Sequence, residues 1–253
     1  MPDASAHFAP CIVVPVYNHE HAIGAVLAGL LRAGVPVLLV DDGSDAACAA
    51  VLDTLARLHA GRVELVRLAR NQGKGAAVLA GIGHAAQRGY THALQIDADG
   101  QHETADVPAF LERARAHPQA VIAGYPVYDA SVPKARLYGR YATHIWVWIN
   151  TLSFEIKDSM CGFRAYPVTA VNQLAARARV GRRMNFDTDI LVRLFWDGRR
   201  VINVPTRVSY PADGVSHFHL WRDNAQISWM HTVLFFGMLV RLPRLLARRQ
   251  PAA

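Results

Sequence analysis

HALQIDADGQH, residues 92–102, ends in two carboxylates, Asp97 and Asp99, separated by one residue and followed by Gly100. His92–Ile96 reads as a short buried strand, so the acids stand where the strand gives out. A strand that ends this way presents oxygen ligands at one spot. Hard divalent cations such as Mg²⁺ take oxygen ligands, commonly one or two carboxylates plus substrate phosphates. The competing reading is a solvated turn in which an Asp caps the next helix.

The same arrangement recurs upstream. CIVVPVYNHE (11–20), VPVLLVDDGSD (35–45) and VELVRLARNQGKG (63–75) each begin as an apolar run and end in a polar loop. The segments between them have helical spacing. Residues 20–32 place Ile23, Val26, Leu27, Leu30 and Leu31 on one face, and 46–58 and 74–88 follow the same rule. A helix over 104–116 and a strand over 120–123 complete the series. Strands alternating with helices predict βαβ units and a mainly parallel sheet. Ligands of such sheets bind at the carboxyl ends of the strands, where these loops lie. After residue 125 the pattern loosens. It predicts a helix over 135–152, a loop over 158–164, a helix over 186–196 and a strand over 201–209. A long helix over 220–249, broken near Pro243, closes the chain.

Several classes are excluded. No Gly-x-Gly-x-x-Gly follows the first strand, and Gly73-Lys74-Gly75 lacks the upstream Gly and the Ser/Thr of a phosphate loop. Cys11, Cys48 and Cys161 have neither metal-ligand spacing nor even pairing, which suits a reducing compartment. The opening MPDASAHFAPC carries an acid and no basic run before a long apolar stretch, so it does not read as a signal peptide. Charge is divided: residues 1–120 hold 9 Lys+Arg against 12 Asp+Glu, and residues 121–253 hold 18 against 8. The basic half could meet a phosphate-rich partner. No nucleic-acid-binding signature accompanies it, so nucleic acid is not expected as that partner.

Further candidates follow. Asp41-Asp42 at a strand end can accept hydrogen bonds from a ribose or base edge, or cap the helix with Ser44 or Asp45. Lys74 sets one cation beside the acids. Asp187 and Asp189 are candidates for an acceptor base. Against that, Asp187 can cap its helix and Asp189 can pair with Arg193 four residues on. His217 and His219 flank Phe218 and could face a diphosphate. Residues 227–240 form an apolar stretch of about fourteen residues, short of the roughly twenty that span a bilayer. Arg241, Arg244, Arg248 and Arg249 follow, the pattern of an interfacial helix on an anionic membrane surface. A core helix with a basic end is the alternative.

VPVYNHE, VDDGSD, RNQGKGAA and DADGQH, in this order and spacing, resemble family-2 glycosyltransferases, and most nearly the polyprenyl-phosphate mannosyl- and glucosyltransferases. The resemblance covers roughly residues 11–217. It implies an α/β chain of the A-type glycosyltransferase fold, a mainly parallel Rossmann-like sheet flanked by helices, with a C-terminal amphipathic helix. A catalytic domain over 1–217 would divide into a nucleotide-binding half (about 10–125) and an acceptor half (about 126–217), with a membrane-contacting helix and basic tail over 218–253. It further implies inverting transfer from a nucleotide-sugar, UDP- or GDP-linked, to a lipid-linked or membrane acceptor, with Mg or Mn, on the cytoplasmic face of the membrane. Pro15, Tyr17 and Glu20 would line the base pocket. Asp42 would contact the nucleotide, Lys74 and Asp97 the donor, and Asp99 and Gln101 the metal. Arg136, Arg140 and His217 would meet phosphate. Ser159, Gly162, Phe163 and Arg164 would form the acceptor loop.

The chain departs from the family at three places. Tyr125-Pro126 stands for an Arg, Phe186-Asp187-Thr188-Asp189 for Phe-x-x-Glu, and Gly214-Val215-Ser216-His217 for Gly-Glu-Ser-Lys. The first stands at the boundary of the two halves, and the other two lie in the acceptor half. Two rivals remain: a nucleotidyltransferase, which would want a Gly-rich basic loop after the first strand, and a non-catalytic membrane protein on the same scaffold.

Overall fold

A computed structural model describes residues 7–127, 134–208 and 219–247, with backbone alone at 134–139 and 220. The four apolar runs become β1 (Pro10–Val16), β2 (Val37–Asp41), β3 (Val63–Arg67) and β4 (His92–Gln95). They are joined by α1 (Ile23–Leu30), α2 (Ala46–Leu58) and α3 (Lys74–Gln87), and α4 (Val107–Ala116) leads on to β5 (Val121–Val127). β1 pairs in parallel with β2 and β4, and β2 with β3. These strands carry unbroken apolar runs because both faces of the sheet are covered. Val13 and Val40 face a cluster with Ala77, Val78 and Ile82 of α3, and Ile12, Val14 and Leu39 face another with Ile23, Leu27 and Phe110.

The second half adds α5 (Lys134–Thr151), β6 (Arg164–Pro167), α6 (Val168–Arg177), α7 (Phe186–Trp196), β7 (Val201–Arg207) and α8 (Leu220–Ala247). The sheet order is β3-β2-β1-β4-β6-β5-β7. β6 runs antiparallel to both neighbours, β4 and β5, while β5 and β7 are parallel. The sheet is therefore mainly parallel, as the alternation predicts. β6 and α6 were not expected, and the loop predicted to include Arg164 stops one residue earlier. RAYP has no apolar run to announce a strand. It becomes one because hydrogen-bonding edges wait on both sides.

The last helix also departs from expectation. It does not break at Pro243 but continues to Ala247, 28 residues in all, or about 42 Å of rise. Residues 221–247 are long and apolar enough to cross a membrane by length and composition, so the estimate of a short apolar segment is corrected. Pro243 and Leu239, whose carbonyl loses its donor, are both exposed residues near the helix end, where the proline is tolerated. The inner face, with Met230, Leu234, Met238 and Leu245, is buried in one cluster with Leu194 and Trp196 of α7.

Candidate active site at the carboxyl ends of the strands

The loops after β2 and β3 are welded by Asp42. Its buried carboxylate accepts from Gln72 N (2.7 Å), Gly73 N (2.8 Å) and Asn71 Nδ2 (3.0 Å). Burial raises its pKa, opposed by those backbone bonds and by the charge of Arg183. Asp41 is turned the other way, onto Ser44 N and Arg67 Nε, each at 2.8 Å. Asp45, not an acid of the DD pair, caps α2 through Cys48 N. Gly73, at φ 101°, allows the tight entry into α3.

That entry delivers Lys74. Its ammonium donates to Asp97 Oδ2 (2.8 Å) and to Asp187 Oδ2 (2.7 Å), joining α3, the end of β4 and the start of α7. Burial alone would lower the pKa of the ammonium, but the Asp187 and Asp97 carboxylates outweigh it and hold the pKa above the usual range. Asp97 shows the converse. Burial raises its pKa, but Lys74 and His102 together drive it well below the carboxylate range. Asp99, beside it, is pushed up by burial and by the charge of Asp97. One Asp99 oxygen accepts from Gln101 N at 3.0 Å.

Asp97 Oδ1 is buried with no hydrogen-bond partner, which suits it to a cation. No group of three or more His, Cys, Asp and Glu side chains is placed to hold one among the described residues. A divalent ion here would rest on Asp97 and Asp99 and take its remaining ligands from substrate phosphates and water, the mode Mg²⁺ favours. The residues fit that role.

The expected acceptor loop reaches this point from the other side. Gly162 lies flat against the Asp97 carboxylate, where a Cβ would meet Oδ1 at 2.6 Å. Phe163 is buried and stacks on Phe110, ring centroids 4.0 Å apart. Ser159 Oγ meets Thr188 Oγ1 at 3.1 Å. Arg164 is fully buried, donating to the backbone carbonyls of Asp187 and Ser159, so its guanidinium braces the loop from beneath. Arg140 Nη2 is held at 2.8 Å by Asp158 Oδ1, with His144 Nε2 3.6 Å from the other oxygen.

Of the two alternatives to a catalytic base, the helix cap fails for Asp187 and the Arg193 pair holds for Asp189. Asp187 does not cap α7: Oδ2 takes Lys74 and Oδ1 takes Gln95 Nε2 at 3.0 Å. Asp189 does pair with Arg193, at 2.6 Å, and also accepts from Gly181 N at 2.7 Å. Burial raises its pKa and Arg193 opposes the rise. Pro15 is buried in β1, with Tyr17 and Glu20 in the loop beyond it; Glu20 Oε2 is buried without a partner. The Arg136 side chain and His217 lie outside the described residues. The sequence reading missed Gln95, Tyr166, His102 and Arg183. A polar residue inside the β4 run was the one available signal, at Gln95.

The sequence pattern of Glycosyl transferase family 2 matches residues 11–175. The chain belongs to this family. It is a glycosyltransferase. Among relatives of this family-2 chain, the polyprenol monophosphomannose synthase of Mycolicibacterium smegmatis is 27% identical over 218 residues, 81% of this chain and 79% of that protein. The undecaprenyl-phosphate mannosyltransferase of Micrococcus luteus is 29% identical over 199 residues, 76% and 80% of the two chains. The crystal structure of glucosyl-3-phosphoglycerate synthase from Mycobacterium tuberculosis, in complex with Mn²⁺ and UDP-glucose, superposes with a TM-score of 0.66. It covers 93% of this chain and 80% of its own at 14% identity, a likeness of fold alone. The fold is the A-type glycosyltransferase fold.

Proposed function

We propose that the enzyme moves a sugar, with inversion, from a UDP- or GDP-sugar to a polyprenyl phosphate at the cytoplasmic face of the membrane. The observation that carries this reading is the state of the two candidate bases. Both Asp187 oxygens receive donors, and so do both Asp189 oxygens. To take a proton from a hydroxyl acceptor, either carboxylate would have to share or release an oxygen that is already engaged. A phosphate acceptor is already an anion and needs no base. The relatives named for polyprenol and undecaprenyl phosphate support the same choice.

In this reading a bound Mg²⁺ or Mn²⁺ would neutralise the departing diphosphate. Asp97 and Asp99 would hold it, and Lys74 adds a positive charge beside them. Gly162 brings the acceptor loop against Asp97. The membrane side of the proposal rests on α5 and α8. Ile145, Trp146 and Ile149 on α5 and Trp229, Val233, Phe236 and Val240 on α8 are exposed. Because the opposite side of α8 is packed on the domain, the helix lies along the membrane surface, with Arg241 and Arg244 at the headgroups.

The test is transfer of labelled sugar from a panel of UDP- and GDP-sugars, with Mn²⁺ or with EDTA, to undecaprenyl phosphate or to the free polyprenol. Metal-dependent label in the phosphate lipid is expected, with the opposite anomeric configuration by NMR. Transfer to the free alcohol alone would restore a protein base and sink the reading.

A further inference from the structure

We infer that Gln95, backed by Tyr166, is a positioning residue that sets the orientation of Asp187 and through it holds Lys74 between Asp187 and Asp97; its consequence for the donor rests on the function proposed above.

Gln95 is fully buried at the end of β4, two residues before Asp97. A buried side-chain amide needs partners at both ends, and here it has them. Nε2 donates to Asp187 Oδ1 at 3.0 Å, and Oε1 accepts from Tyr166 OH at 3.3 Å. The amide cannot be reversed without loss. A carboxylate accepts only, so the NH₂ end must face Asp187, and the phenol then serves the oxygen end. Tyr166 is itself fully buried in β6, the antiparallel strand beside β4. The line of hydrogen bonds runs from Tyr166 through Gln95 and Asp187 to Lys74 and ends on Asp97.

A satisfied polar pair in the core could be structural only. Two features argue for more. First, Gln95 occupies one oxygen of Asp187 and so directs the other at Lys74, while Arg164 fixes the backbone carbonyl of the same residue. Asp187 is thereby held at three atoms. Secondly, in the line from Tyr166 to Asp97 the longest flexible stem is that of Lys74. Its ammonium lies 2.7 Å from Asp187 and 2.8 Å from Asp97, shared between them. If Asp187 turns away, the ammonium keeps Asp97 as its remaining partner. It would then compete for the carboxylate that, in the proposed function, also serves the metal and the diphosphate.

The experiment has two arms. Without ligand, urea unfolding is measured for Gln95→Met, Lys74→Met and the double variant. Asp187 is the side chain that both residues bond, so it is the route by which they couple. Non-additivity of at least about threefold in the unfolding constant is expected, and additive effects overturn the inference. With ligand, UDP and GDP are titrated calorimetrically in Mn²⁺ and in EDTA. Gln95→Met should weaken Mn²⁺-dependent binding at least about tenfold and metal-free binding far less, about 1.4 kcal/mol of selective loss. Tyr166→Phe should shift it in the same direction by a smaller factor, and serves alone should the Met variant not fold. Lower stability with unchanged Mn²⁺-dependent binding would mean a structural role and overturn the inference. If neither nucleotide binds the wild type, the donor reading fails, and the unfolding cycle still decides whether Gln95 acts on Lys74.

Discussion

Gly162 and Asp97 touch through the smallest residue meeting a carboxylate, and no motif from either segment alone predicts that contact. Gly162→Ala places a methyl group against both oxygens of Asp97. The loop or the carboxylate has to move, and overpacking of this kind costs about 1–3 kcal/mol. The carboxylate is the more mobile of the two, so Lys74 loses part of its partner. We expect Gly162→Ala to fold with a lowered melting temperature and to bind UDP or GDP in Mn²⁺ about tenfold or more weakly, since a charged hydrogen bond is worth about 1.5–3 kcal/mol. Calorimetry checks this; unchanged affinity would show that Asp97 does not serve the donor from its present position. At the same scale Asp42 shows what residue types conceal. Beside the nucleotide contact proposed for it, this acid at a strand end makes three hydrogen bonds to the loop that presents Lys74.

At the level of elements, the loop between α5 and β6 is anchored by Asp158, which binds Arg140 on α5 and the backbone N–H groups of Met160 and Cys161 at 2.8 Å each. Burial raises the Asp158 pKa, but Arg140 and His144 overcome it, so the folded value lies below the ordinary one. The sign of the stability effect follows. A depressed folded pKa means the unfolded chain binds the proton first. The contribution is complete above the unfolded carboxylate value of about 4 and fades as pH falls through it toward the folded value. Urea midpoints at pH 7 and pH 3 should therefore fall less on acidification in Asp158→Asn than in wild type. The same acid sensitivity in both would mean that Asp158 is not ionised in this pair. The carboxylates of Asp42, Asp99 and Asp189, raised in the fold, work in the opposite direction and leave the comparison to the single substitution.

Across the whole molecule, α8 has two opposed faces. Met230, Leu234, Met238 and Leu245 complete the core over α7, while Trp229, Phe236 and Val240 are exposed. Trp196 donates its indole N–H to Asn150 O and has Arg241 over its ring, so α5, α7 and α8 meet at one residue. Cutting the chain after Asp223 would uncover this core; a single large-to-small change there costs about 2–5 kcal/mol, and the truncated protein should unfold. Trp229→Ser with Phe236→Ser touches only the outer face. That variant should keep its melting temperature and lose sedimentation with anionic liposomes. The wild type should sediment at low salt and be partly released at high salt, because the arginine contribution is screened. Indifference of the wild type to liposomes would assign the outer face to something other than a membrane.

The sequence alone determined the first four strands and their loops, because apolar runs and helical spacing are local and each loop carries its chemistry on adjacent residues. Asp97 and Asp99 were legible as strand-end carboxylates for that reason, and the glycosyltransferase fold through the resemblance of the four loops to family 2. What the tertiary structure decided is every contact between distant segments. β6 exists because β4 and β5 offer edges to RAYP, not because RAYP favours a strand. α8 passes Pro243 because its packed face holds the helix and its open face accommodates the lost hydrogen bond. Lys74 reaches Asp187 across 113 positions of chain and Gln95 reaches it across 92. Periodicity carries no information at such separations. Only the folded sheet, with α3 and α7 starting at the same end of β4, brings one ammonium between two carboxylates.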